Sequence, residues 1–141
     1  MKNLHTWIDD IAAKGAVAVI TGKNGDMDTI GSAIALASSR PELMACGLHM
    51  GKLAKKICTE LGAPFKLISS NPIWPSKLSG IIFVDAASIG QIGIDVPDGI
   101  PFCVIDHHAT SDWKFGPEDF EYRSKARSTT QIIFEYLEEY F

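Results

Sequence analysis

Three short apolar runs, each leading into an acidic or imidazole-bearing segment, constrain this chain more than any other feature. Ala16-Val-Ala-Val-Ile-Thr21 leads into Asn24-Gly-Asp26-Met-Asp28. Gly80-Ile-Ile-Phe-Val84 leads into Asp85, and Phe102-Cys-Val-Ile105 leads into Asp106-His107-His108. A run that is apolar on every residue must bury both faces, the pattern of a strand inside a parallel sheet. Amphipathic stretches of helical period lie between and around these runs. Residues 4–14 place Leu4, Trp7, Ile8, Ile11 and Ala12 on one helical face, with Gly15 as the expected stop. Further helices are expected over 29–39, closed by Arg40-Pro41, and over 51–61, stopped by Gly62. Ser128-Thr-Thr-Gln131 reads as a capping box that opens a last helix to Tyr140. Weaker strands are expected over 43–49 and 65–68, while 116–125 reads as irregular. This alternation predicts one α/β domain over residues 1–141: three layers, doubly wound, a mostly parallel sheet with helices on both faces.

That architecture turns scattered residues into a candidate site. In a parallel sheet the carboxyl ends of the strands share one edge, and ligands bind there. Asp26, Asp28, Asp85, Asp106, His107 and His108 are therefore expected to converge. Grouped carboxylates repel unless positive charge sits among them. A pair of divalent ions supplies it, and mixed carboxylate and imidazole donors suit Mn²⁺, with Mg²⁺ or Zn²⁺ less distinctive. Two ions would activate a water and stabilise charge on a phosphoryl oxygen. A helix opening after Asp28 would add free N–H groups at the same place. Taken singly, Asp28 is equally a helix cap, and Asp85, Asp106 and His107 are ordinary strand-end residues. The repetition at three strand ends favours a site.

Composition narrows the remaining classes. The net charge is −4, which argues against a dedicated nucleic-acid binder but leaves room for a nucleotide or short oligonucleotide at a local site. Lys52, Lys55 and Lys56 share one predicted helix and read as a solvated face. Cys46, Cys58 and Cys103 are widely spaced and read as buried small hydrophobes in a reducing compartment, rather than as zinc ligands. No apolar stretch is long enough for a bilayer, and no apolar run follows Met1-Lys-Asn-Leu-His, so no membrane partner is expected and the expected location is cytoplasmic. The segment 22–31 fits neither the dinucleotide fingerprint nor the P-loop, which weakens an unrelated nucleotide-binding reading.

The ordered set Asn24-Gly-Asp-Met-Asp-Thr-Ile-Gly-Ser32, Phe83-Val-Asp85 and Val104-Ile-Asp-His-His108, with Ala126-Arg-Ser-Thr-Thr-Gln131 opening a helix, resembles the DHH phosphoesterase superfamily. The resemblance covers roughly residues 15–141. It implies a metal-dependent phosphoesterase, most often Mn²⁺-dependent, acting on small phosphorylated nucleotides or short oligonucleotides through a metal-activated water. It implies that Asp26 binds one ion, Asp28 the other, that Asp85 bridges them and that His107 binds the second. His108 and Asp106 would carry the catalytic step, His108 facing the substrate phosphate and Asp106 supporting the histidines from behind. Gly31 and Ser32 would let a helix pack closely on the sheet, and Ser128 would cap its helix near the site. Two departures stand out. Family members usually carry His where this chain has Gly22, followed by Lys23, a residue suited to replacing a metal's charge or holding a phosphate. They also usually continue to a further metal-binding Asp and a C-terminal substrate-binding domain, whereas this chain stops at Phe141. The two departures leave open a fragment of a longer enzyme, a minimal and degenerate member, or a non-catalytic DHH-derived binding or scaffold module. The apolar groups of 134–141 would pack on the sheet or form a contact between copies in a homo-oligomer.

Overall fold

The computed structural model describes residues 1–109, 111–125 and 128–141. Ala126 and Arg127, part of the helix-opening motif, lie outside the described residues. Six strands form one sheet: β1 (Ala16–Thr21), β2 (Leu43–Gly47), β3 (Lys66–Leu67), β4 (Leu78–Val84), β5 (Phe102–Asp106) and β6 (Phe120–Arg123). Their order is β3-β2-β1-β4-β5-β6, and every neighbouring pair is parallel. The direction of travel reverses between β1 and β4, which is the switch point of a doubly wound sheet.

Four helices accompany the sheet: α1 (Lys2–Ala12), α2 (Met27–Ala37), α3 (Lys52–Leu61) and α4 (Thr129–Tyr140). One face of the sheet, with Val17, Val19, Ile82, Val84 and Ile105, is covered by α1, α2 and α4. Ile132 and Ile133 of α4 are buried there, each contributing about 2 kcal/mol of hydrophobic burial. The opposite face, with Ala18, Ile20, Ile81, Phe83 and Val104, is covered by Ile92, Ile94 and Trp113 from long connections. Those connections include one 3₁₀ turn, Ile89–Gln91. α3 packs its Ala54 and Cys58 against Ile30 of α2 and leaves Lys52, Lys55 and Lys56 exposed.

Several local expectations are revised. Residues 120–123 form a strand, not irregular chain: Phe120 and Tyr122 turn inward while Glu121 and Arg123 face out. It is an edge strand, so its charges are tolerated and mask the pattern. α1 ends at Ala12 with Ala13 as its cap, so Gly15 is not the helix stop. Gly15 is required by close approach, since a Cβ there would lie 2.2 Å from the Lys77 carbonyl oxygen. α2 begins at Met27 and is capped by Asp26 rather than Asp28. A Cβ at Gly31 would make an ordinary contact with Met27 Cε at 3.9 Å, so close packing does not require glycine there. Ser32 serves helix-on-helix contact: its Oγ donates to the Asp28 carbonyl at 2.7 Å and pairs with Thr130 Oγ1 at 2.8 Å. All three cysteines are free and buried. Burial pushes the Cys46 thiol up to about 12, with Lys66 partly opposing it, and raises that of Cys103 as well. Among the described residues, no helix is long and apolar enough to cross a membrane.

Candidate active site at the carboxyl edge

The site is assembled by the segments that leave β1, β4 and β5. After β1 the chain turns through Gly25, at φ +58, where a Cβ would lie 2.2 Å from the His49 carbonyl oxygen. Only glycine meets both demands. The turn delivers Asp26 to the helix start, where Oδ1 accepts from Thr29 N at 2.9 Å and Oδ2 accepts from Asn24 Nδ2 at 3.4 Å. Asp28 is exposed in the first turn, and its carbonyl accepts from Thr130 Oγ1 at 3.1 Å.

Asp85, just past β4, is the one non-glycine residue with positive φ among those described, at 61°. Such a conformation is costly and persists where surroundings hold it, most often at functional sites. Here the holders are two threonines. Thr29 Oγ1 donates to Asp85 Oδ2 at 2.7 Å, and Thr129 Oγ1 donates to Oδ1 at 3.0 Å. His107 Nε2 approaches the same Oδ1 at 3.4 Å. Asp85 thus joins the openings of α2 and α4. Neither threonine was singled out in the sequence, although both lie inside the motif segments. A hydroxyl on the first helical turn, in register with a strand-end carboxylate, is the signal that could have found them.

At the end of β5, Asp106 is 1% exposed and its Oδ1 lies 2.5 Å from His108 Nδ1. This contact sits behind the histidine and leaves Nε2 as its free ring nitrogen. Asp106 Oδ2 is buried without a hydrogen-bond partner. Asp85, His107 and His108 each present a donor atom within 4.8 Å of the others. Asp26 and Asp28 stand outside that set. A cavity of about 220 Å³ opens beside it, lined by Gly22, Lys23, Asn24, Asp85, Gln91 and His108. Ser128 accepts from Gln131 N at 3.2 Å and so caps α4, beside the Thr129 that touches Asp85.

One carboxylate and two imidazoles in reach of one another are a donor set for a divalent ion. The buried, unpartnered oxygen of Asp106 adds negative charge beneath them, so the residues present fit such an ion. Fold and site together define a parallel α/β domain whose polar cluster lies at the switch point of the sheet. Residues 16–141 match the DHH family, N-terminal domain, and the chain belongs to that family. Among solved structures, it is similar to a Methanococcus jannaschii protein assigned to the family II inorganic pyrophosphatases. The identity there is 26% and the TM-score 0.67, over 87% of this chain and 38% of that one. It is similar in fold to an exopolyphosphatase-related protein from Bacteroides fragilis, at 12% identity and TM-score 0.60, over 98% of this chain and 42% of that one. The chain therefore spans less than half the length of these structures. No curated protein matches it.

Proposed function

We propose that the chain is a divalent-metal-dependent phosphoesterase domain, with Mn²⁺ the preferred ion and Mg²⁺ a substitute. The observation that carries this reading is the Asp85, His107 and His108 cluster beside the cavity at the switch point. Membership of the DHH family and the likeness to a protein assigned as a pyrophosphatase support a phosphoryl substrate. Asp85 and His107 hold the ion in this reading, with Asp26 and Asp28 as flanking carboxylates. A bound ion there supplies charge to a phosphoryl oxygen and lowers the pKa of water.

The chain's own residues do the rest. Thr29 and Thr129 fix the Asp85 carboxylate, so it is oriented before any ligand arrives. Asp106 holds the His108 ring by Nδ1, which turns Nε2 towards the substrate's phosphoryl group as a proton donor. Lys23 lines the cavity and offers its ammonium to anionic oxygens. Small phosphorylated nucleotides or short oligonucleotides are the proposed substrates, in the cytoplasm.

The test is hydrolysis of a panel holding a phosphodiester, a phosphomonoester and pyrophosphate, with and without Mn²⁺. Asp85→Asn, which keeps the shape and removes the charge, is expected to lower the rate by about 10³-fold, or ~4 kcal/mol. No hydrolysis of any panel member by the wild-type chain would sink the catalytic reading and leave an ion-binding scaffold module.

A further inference from the structure

Building on that reading, we infer that the site takes a single divalent ion per chain and that Lys23 supplies the remaining positive charge for the phosphoryl group. Among the described residues, one set of three donor groups lies close enough to share an ion, namely Asp85, His107 and His108. Asp26, on the segment that leaves β1, stands outside that set, with Oδ1 accepting from Thr29 N and Oδ2 from Asn24 Nδ2.

Formal charge points the same way. A second divalent ion on the β1 side would share the cavity of about 220 Å³ with the Lys23 ammonium. Like charges at such range in a partly desolvated site repel by several kcal/mol at an effective dielectric near 20.

The segment bearing Lys23 is also held in place. Its backbone N–H donates to the Gln91 carbonyl at 2.7 Å, which ties the turn after β1 to the 3₁₀ turn across the switch point. Gln91 Oε1 accepts from Ala87 N at 2.7 Å, so its NH₂ is the end available to a ligand. Lys23 and Gln91 thus line the same cavity as Asp85 and His108. In this inference the phosphoryl group lies between the ion and the Lys23 ammonium.

The experiment titrates the metal-free chain with Mn²⁺ by calorimetry and records the EPR spectrum of the loaded protein. Inorganic phosphate is then titrated into the loaded protein. One ion per chain is expected, with an isolated-ion spectrum. Lys23→Gln is expected to weaken phosphate binding about tenfold while leaving ion stoichiometry unchanged. Two ions per chain, or a spectrum with exchange coupling, overturn the single-ion inference and leave ion dependence standing. Equal phosphate affinity in wild type and Lys23→Gln overturns the role of Lys23. No ion bound by wild type overturns the proposed function itself, and this inference with it.

Discussion

The two edges of the sheet hold polar clusters of opposite character. At the amino edge, just before β2, Arg40 is 8% exposed and surrounded by acceptors. Its Nε and one terminal nitrogen donate to Asp9 Oδ1 at 2.9 and 2.7 Å, and the same nitrogen donates to Tyr136 Oη at 2.8 Å. His5 completes the cluster, 3.2 Å from Asp9 and 2.7 Å from Tyr136 Oη, stacked on Tyr140 at 4.0 Å. Each charge there has a counterpart, and the cluster ties α1 to α4 and to the end of α2. At the carboxyl edge, Asp106 keeps a buried oxygen without a partner, and Asp85 is held at positive φ. A self-satisfied cluster stabilises a fold. A cluster that keeps an unmet demand for positive charge stores that demand for a ligand.

The largest effect expected on this contrast comes from the satisfied edge. Arg40→Ala strips Asp9, Ser39 and Tyr136 of a shared donor and is expected to cost about 3 kcal/mol in urea unfolding. Half-exposure of Asp9 holds the figure at the low end for a broken pair. Ion binding at the far edge is expected to survive unchanged, and a parallel loss of Mn²⁺ affinity would erase the distinction. Asp106→Asn is the converse. Stability of the ion-free chain is expected to stay within about 1 kcal/mol of wild type, because the orphaned oxygen gains nothing from folding. Mn²⁺ affinity is expected to fall by roughly 10–100-fold, because a buried negative charge beside the Asp85 and His107 pair is removed. A large stability loss with intact ion affinity would make Asp106 structural.

A smaller effect sharpens the site itself. A Cβ at Gly22 would meet the Asp85 carbonyl oxygen at 3.4 Å, Asn24 Oδ1 at 3.6 Å and the Gln91 carbonyl oxygen at 3.7 Å. These are near-ordinary contacts, so Gly22→His is expected to fold. It adds an imidazole to the cavity wall and is expected to raise Mn²⁺ affinity about tenfold, read by calorimetry. Unchanged affinity would place the new ring out of reach of the ion.

How much of this was written in the sequence differs by edge. The parallel α/β architecture was legible because β1, β4 and β5 are apolar on both faces, and a parallel sheet forces their ends together. The contact between Asp106 and His108 was implied by the resemblance to the DHH superfamily, not by the residues' own pattern. The amino-edge cluster was not legible. It joins His5, Asp9, Arg40 and Tyr136, which stand at no motif spacing and meet only through packing of three helices on one face. The threonines on Asp85 were hidden for a related reason. Their hydroxyls act 56 and 44 positions away from the carboxylate they hold, and as single residues they read as ordinary helix-start chemistry. β6 was hidden by its charges. Long-range polar partners are set by tertiary geometry, whereas a buried strand announces itself locally.

The smallest effect expected is the pH response of the satisfied edge, and it tests whether that edge holds Tyr136 as the neutral phenol. Burial raises the Tyr136 hydroxyl above its ordinary value of 10.0, with the Arg40 hydrogen bond and charge opposing in part. The folded state therefore keeps this proton more tightly than the unfolded chain does. By linkage, the contribution is fully present below pH 10.0 and is lost as pH rises through the higher folded value. Urea midpoints should be flat with respect to Tyr136 near neutrality and should decline on the alkaline side. Tyr136→Phe should cost about 1 kcal/mol at neutral pH, for the hydroxyl that Arg40 and His5 lose. It should also flatten part of the alkaline decline. An alkaline decline identical in Tyr136→Phe and wild type would assign that proton elsewhere and remove Tyr136 from the groups that set the edge's stability.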